Sequence, residues 1–224
     1  AAGRKVLSFA LHNAAADFHA SNISVDARGC PSFTLHTPQG DEHVQLNLLG
    51  NHNVANALAA AAAAHVLGVS LFGIATGLGA VQPVKGRTVA QLATHGMRVI
   101  DDTYNANQSS ICAAIGLLAG FDGRKVLMLG DIAELGEWAE QAHREVGAYA
   151  VGKVDALYAV GTNMAHAVKA FGPGALHFAT QVELIQALSA AEHDKHTTIL
   201  IKGSRSAVME NVVAALCGSS TEKH

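Results

Sequence analysis

Along residues 1–49 apolar and polar positions alternate with a period of two. Residues 4–10 lean apolar and read as a first strand, with 22–27 as the next. Phe33 and Leu35 fall on one side of the run 32–37 and His36 on the other, and Val44, Leu46 and Leu48 repeat the pattern within 42–48. Arg28-Gly29 and Pro38-Gln39-Gly40 interrupt these runs as turns. Successive strand side chains point to opposite faces, so this pattern predicts an antiparallel β meander. The chain opens directly at Ala1-Ala2-Gly3, and the meander is expected to be the tail of a larger domain. At Gly50 the period changes. The Ala-rich run 51–67, with Asn51 as expected N-cap and Gly68 as stop, predicts a helix, and a second, shorter helix is expected over 71–78. Pro83-Val84-Lys85-Gly86-Arg87 reads as an extended connector, followed by short strands at 88–92 and 97–100 around the turn His95-Gly96.

From residue 97 onward short apolar runs alternate with longer amphipathic ones. Strands are predicted at 97–100, 125–129, 156–160, 175–178 and 197–201. Helices are predicted at 109–119, 138–151, 163–170, 182–191 and 206–216. Strand and helix alternating at this spacing predict an α/β, Rossmann-like doubly wound sheet, mostly parallel, with right-handed crossovers. The expected division is therefore residues 1–96, a β meander plus helices, and residues 97–224, the α/β domain.

Composition narrows the function classes. Half of the 224 residues are apolar, enough for a sizeable core, and the net charge of -3 without a basic run argues against nucleic-acid binding. No stretch approaches the length of a membrane-spanning helix, and no signal-peptide pattern opens the chain. The 3 cysteines are widely spaced, as expected of reduced thiols in a cytoplasmic protein. The 13 histidines are scattered; the tight pair His193 and His196 sits in a polar inter-element stretch and reads as a solvated loop, so no metal site is expected. No GxxxxGK[ST] occurs, and no GxGxxG leads from a strand into a helix.

In an open α/β sheet, ligands bind beyond the carboxyl ends of the strands. The polar-rich stretches fall there. Asp101-Asp102-Thr103-Tyr104-Asn105-Ala106-Asn107-Gln108-Ser109-Ser110 follows the first strand, Gly130 to Gly136 with Asp131 and Glu134 the second, and Gly161-Thr162-Asn163 the third. Lys202-Gly203-Ser204-Arg205-Ser206 follows the last and suits an anion, through its two cations and the helix start behind it. Asp131 and Glu134 would suit an ammonium group. For each loop alone, capping and turn formation remains an open alternative. On the Ala-rich helix, His52, Asn53 and Asn56 share one face of the first turns.

Taken together, these motifs resemble the C-terminal part of the Mur ligases. Gly50-Asn51-His52-Asn53-Val54-Ala55-Asn56-Ala57, Lys85-Gly86-Arg87, Asp102-Thr103-Tyr104-Asn105-Ala106-Asn107, Gly130-Asp131-Ile132-Ala133-Glu134-Leu135-Gly136 and Lys202-Gly203-Ser204-Arg205 occur in the family's order over nearly the whole chain. The Tyr-Asn-Ala-Asn and Gly-Asp-x-Ala-Glu-Leu-Gly versions resemble the branch that adds D-alanyl-D-alanine to UDP-N-acetylmuramoyl-tripeptide. The resemblance implies residues 1–96 to be the end of a central ATPase domain and 97–224 the domain that brings the acceptor. It implies ATP-dependent amide formation through an acyl phosphate in peptidoglycan precursor synthesis, by a monomeric cytoplasmic enzyme. It further implies that the P-loop, the carbamylated lysine and the Mg2+ ligands lie upstream, so that this chain alone is inactive. Asn53 and Asn56 would face the adenine of ATP, Arg87 its phosphates and Asp102 the ribose. Tyr104, Asn105, Asn107, Ser109, Asp131, Glu134, Ser204 and Arg205 would face the acceptor dipeptide, with Lys202 and Arg205 supplying charge or positioning and Arg205 meeting the dipeptide carboxylate. Two alternatives stand beside this: a related ligase adding a diamino acid or glutamate, such as the folate-polyglutamylating enzymes, and a non-catalytic nucleotide- or peptide-binding module.

Overall fold

A computed structural model describes residues 6–93, 96–190 and 194–218, and the chain divides into two compact units, Ala1–Pro83 and Val84–His224. The first unit holds a four-stranded sheet in the order β1 (Phe9–Ala10), β2 (Phe18–Val25), β3 (Pro31–Thr37), β4 (Gly40–Gln45). Strands β2, β3 and β4 pair antiparallel, as the alternation predicts, but β1 runs parallel to β2. The meander therefore covers three strands rather than four. The segment between β1 and β2 carries the chain back to the same end of the sheet. It is tied there by Asp17, whose carboxylate accepts from Ser8 N–H at 2.8 Å and Ser8 Oγ at 2.7 Å.

Helices α1 (Asn51–Val66) and α2 (Leu71–Ala80) cover this sheet. Phe18, Phe33, Leu35, Val44 and Leu46 meet Val54, Ala57, Leu58, Ala61 and Ile74 in one buried cluster. The residues that alternate in β3 and β4 are thus the ones removed from water, at about 25 cal/mol per Å² of apolar surface. Asn51 is the first helical residue and not the cap; the cap position is Gly50, at φ 88°, without a side-chain bond. Glycine takes that backbone at no steric cost, which Asn51's side chain cannot improve on.

The second unit is a six-stranded sheet ordered β5 (Val89–Leu92), β6 (Arg98–Asp102), β10 (Thr197–Lys202), β7 (Arg124–Gly130), β8 (Ala156–Val160), β9 (Ala175–Phe178). All neighbours pair parallel except β5 with β6. Strand β5 thus belongs to this sheet, and the units divide between Pro83 and Val84 rather than at residue 96. The reason is pairing: Val89 to Leu92 bond to Asp101 to Arg98 and would otherwise leave an edge open. The turn His95-Gly96 falls partly outside the described residues, as does the His193–His196 pair.

Helices α3 (Gln108–Ala119), α4 (Ala139–Ala150) and α5 (Met164–Phe171) pack together on one face, and α6 (Gln181–Ala190) and α7 (Glu210–Cys217) on the other. On the second face, Val99, Val126, Met128, Ile199 and Ile201 pack against Leu184, Leu188, Met209, Val212 and Val213. The helix expected from residue 206 starts at Glu210. Residues Arg205–Ala207 form a 3-10 turn, and Val208 then adopts a left-handed conformation, φ 47° and ψ 42°. A β-branched residue is strained there. Gln181 holds the turn by donating from Nε2 to the Ala207 and Val208 carbonyls. Similarly, a 3-10 turn over Gly136–Trp138 precedes α4, which starts one residue later than expected.

Candidate functional site

Strand β10 lies between β6 and β7, while the helix that follows it packs on the opposite face from α3 and α4. The connections leaving the carboxyl ends of these neighbours diverge on either side of β10, which is where open α/β sheets bind their ligands. Two hydrogen-bonded networks occupy these strand ends.

On the β6 side the centre is Lys202. It closes a strand whose residues are all buried, and it is itself only 3% exposed. Its Nζ donates to Asp102 Oδ2 at 2.6 Å and to the Asn105 carbonyl at 2.9 Å. The other carboxylate oxygen of Asp102 accepts from Thr88 N–H at 3.0 Å and Thr88 Oγ1 at 3.2 Å. A buried ammonium without a counter-charge would be prohibitively costly, so the pair is mutually required. The neighbouring Asp101 is also consumed internally: Oδ1 accepts from Thr103 N–H and Oγ1. Asp102 is therefore bonded to Lys202 and Thr88, and a ribose would have only the remaining acceptor capacity of Oδ2.

These bonds fix the loop after β6. Tyr104 N–H donates to the Gly86 carbonyl at 2.9 Å, and the Arg87 guanidinium lies over the Tyr104 ring, 4.4 Å from its centroid. Gly86 has φ 72°, and a Cβ there would stand 3.0 Å from Tyr104 N, so glycine is needed for both conformation and approach. Asn107 caps α3 by accepting from Ser110 N–H at 2.8 Å, and Asn107 N–H donates in return to Ser110 Oγ at 3.1 Å. Ser109 Oγ donates to the same Asn107 oxygen. For Asn107 the capping reading thus holds. Tyr104, Asn105 and Arg87 remain exposed around Lys202.

On the β7 side the centre is Asp131. Its carboxylate accepts from Met164 N–H at 2.9 Å and Asn163 N–H at 3.3 Å, capping the start of α5, while its carbonyl accepts from Ser204 Oγ at 2.6 Å and Ser204 N–H at 3.1 Å. One residue thereby joins the loops after β7, β8 and β10. A Cβ on Gly161 (φ 117°) would come within 2.5 Å of that carboxylate, so glycine is again required. Buried His143 supports the loop: Nε2 accepts from Ile132 N–H at 3.0 Å, and Nδ1 lies 2.6 Å from the Ala139 carbonyl. Both bonds together define a neutral imidazole protonated at Nδ1. Asp131, expected to meet an ammonium group, is occupied within the protein.

Glu134 is exposed, with φ 63°. Arg205 is exposed as well and ion-pairs with Glu210 at 2.9 Å. Asn53 and Asn56 belong to the first unit, on α1, where Asn56 Nδ2 donates to Asn53 Oδ1 at 3.1 Å and Asn53 Nδ2 to the Leu49 carbonyl at 2.9 Å. Sequence reasoning did not find Thr88, His143 or Glu210. A signal existed for the Lys202 network: a lysine ending an unbroken buried strand demands a carboxylate, and Asp102 ends a neighbouring one. Among the described residues no group of three or more His, Cys, Asp or Glu side chains is placed to hold a metal ion.

The architecture defines a Rossmann-like α/β domain, with a polar edge at the carboxyl ends of its strands, preceded in the chain by a smaller unit of sheet and helices. The chain belongs to the Mur ligase family: the model for the Mur ligase glutamate ligase domain matches residues 86–205, and that for the Mur ligase middle domain matches residues 1–64. It is 42% identical over 221 residues to the UDP-N-acetylmuramoyl-tripeptide–D-alanyl-D-alanine ligase of Escherichia coli, covering 97% of this chain and 48% of that one. Among solved structures, MurF from Acinetobacter baumannii superposes with TM-score 0.73 at 36% identity, over 95% of this chain and 47% of that chain. A MurF ligase from Thermotoga maritima in complex with ADP, 22% identical with TM-score 0.69, shares the fold over 95% of this chain and 48% of that chain. The chain thus spans about half the length of the relatives it matches. No described helix is long and apolar enough to cross a membrane.

Proposed function

We propose that this chain is the acceptor-binding half of an ATP-dependent amide ligase that joins D-alanyl-D-alanine to UDP-N-acetylmuramoyl-tripeptide in peptidoglycan precursor synthesis. The observation that carries the reading is the edge of the second sheet. There a buried Lys202–Asp102 pair holds the Tyr104–Asn105 loop, and Arg205, in the loop that follows Lys202, is exposed. Identity to the Escherichia coli ligase supports the acceptor. In the reaction the tripeptide carboxylate would take the γ-phosphoryl group of ATP. The dipeptide amine would then attack the acyl phosphate, lose a proton and expel phosphate as the amide forms. Such chemistry rests on positioning and charge neutralisation rather than on a protein nucleophile.

Within this scheme Arg205 receives the dipeptide carboxylate, to which its planar fork is matched. Tyr104, Asn105 and Ser109 line the acceptor side. Arg87, stacked on Tyr104, is assigned to the phosphates, and Asn53 and Asn56 to the adenine. Lys202, Asp131 and Ser204 act as positioning residues, because their polar atoms are bonded within the protein. Asp102 is assigned chiefly to holding Lys202 and Thr88. The ligase works as a cytoplasmic monomer.

The test is phosphate release by the full-length ligase containing this chain. Release should require ATP, UDP-N-acetylmuramoyl-tripeptide and D-alanyl-D-alanine together, and the chain alone should release none. Turnover with a diamino acid or glutamate in place of the dipeptide would overturn the acceptor assignment.

A further inference from the structure

Arg205 and Glu210 lie on either side of the strained turn at Val208. The 3-10 turn Arg205–Ala207 and the left-handed Val208 fold the chain back so that the first residue of α7 stands beside Arg205. Arg205 Nη1 donates to Glu210 Oε1 at 2.9 Å. The two partners differ in environment: the Arg205 side chain is 69% exposed and that of Glu210 28%. Glu210 Oε2 is buried and has no hydrogen-bond partner among the described residues. A carboxylate with one orphaned oxygen depends on its remaining cation. Glu210 is therefore not free to release Arg205 when a ligand arrives.

We propose that Glu210 is a positioning residue that fixes the Arg205 guanidinium for recognition of the acceptor's carboxylate, an inference that rests on the role given to Arg205 above. Glu210 engages Nη1 only. Among the described residues the Arg205 side chain has no other hydrogen-bond partner, which leaves the Nε–Nη2 edge for a bidentate carboxylate. The strained Val208, clamped by Gln181, is what brings the two side chains together five residues apart. Holding a long, exposed arginine in one orientation removes rotamer freedom before the ligand binds, so less is lost on binding.

The experiment compares D-alanyl-D-alanine with its C-terminal carboxamide in the full-length ligase. The parent enzyme should prefer the acid in kcat/KM by about tenfold or more, the scale of a charge-assisted hydrogen bond. Arg205→Ala should abolish that preference. Glu210→Gln, which keeps size but removes charge, should reduce it several-fold by raising KM for the acid, with KM for ATP unchanged. Glu210→Asp should reduce it less, and Arg205→Ala combined with Glu210→Gln should be no worse than Arg205→Ala alone. If Arg205→Ala loses the preference while Glu210→Gln keeps or increases it, the role of Glu210 is overturned. Retention of the preference by Arg205→Ala would instead overturn the carboxylate role of Arg205. A fall in kcat alone, equal for acid and carboxamide, would reduce Glu210 to a structural residue.

Discussion

Lys202→Met is the most informative single change to the second unit. Methionine matches the lysine stem in length and keeps its packing within β10, so the lost interaction is the charge. What remains is Asp102, 16% exposed, with Thr88 still bonded to Oδ1 and nothing on the Oδ2 that Lys202 held. Breaking a buried pair from one side typically costs ~3–5 kcal/mol. The residual exposure of Asp102 argues for the lower end, about 3 kcal/mol. With a urea slope of about 2 kcal/mol per molar, the unfolding midpoint of the second unit should fall by roughly 1.5 M. Urea titration read by peptide-resolved hydrogen exchange separates this unit from the first. Adding Asp102→Asn should recover part of the loss, because the amide can still accept from Thr88 and no charge is stranded. A loss below about 1 kcal/mol, or no recovery in the double variant, would refute the argument that the pair is mutually required.

Two further expectations concern smaller features. Burial pushes the Asp26 carboxyl up, but its bonds to Cys30 N–H and the Arg28 backbone and guanidinium together outweigh that and hold it below the ordinary 3.8. A depressed folded-state value stabilises above the unfolded value and is lost as pH falls through the folded one. Asp26→Asn should therefore flatten the pH dependence of melting below about pH 4, at a cost of up to ~1 kcal/mol near neutrality. An unchanged acid limb would contradict this. Gly161→Ala should cost ~1–3 kcal/mol, because the new methyl displaces the Asp131 carboxylate from the start of α5. Faster hydrogen exchange at Asn163 and Met164 is the specific sign, and unaltered exchange would rule it out.

The second unit was largely legible because buried parallel strands write themselves as unbroken apolar runs. The spans of β8 and β9 coincide with the predicted ones. Period-two alternation likewise exposed β3 and β4. What periodicity cannot report is partner choice. The parallel pairing of β1 and the assignment of β5 to the second sheet depend on contacts that no local pattern encodes. Within the candidate site, the sequence located the loops but not the saturation of their side chains. Asp131 and Asn107 looked like ligand groups because a capping residue and a ligand-binding residue have the same composition. Thr88 matters through its two bonds to Asp102 and Glu210 through one to Arg205, and a single polar residue at the edge of an element carries no distinguishing pattern.

The position of β10 bears on how the second unit is made. Strand β10, the last described strand of its sheet in chain order, pairs between β6 and β7, and Lys202 meets Asp102 across 100 residues of chain. Until β10 arrives, β6 and β7 have no common neighbour and their facing edges stay unpaired. Apart from its pairing with β5, the contacts of β6 with the sheet are thus long-range in sequence, which makes closure a late step. During synthesis both edges are open to other strands, and the chain is then at its most prone to mispairing. A pause before β10 has emerged from the ribosome would lengthen that exposure.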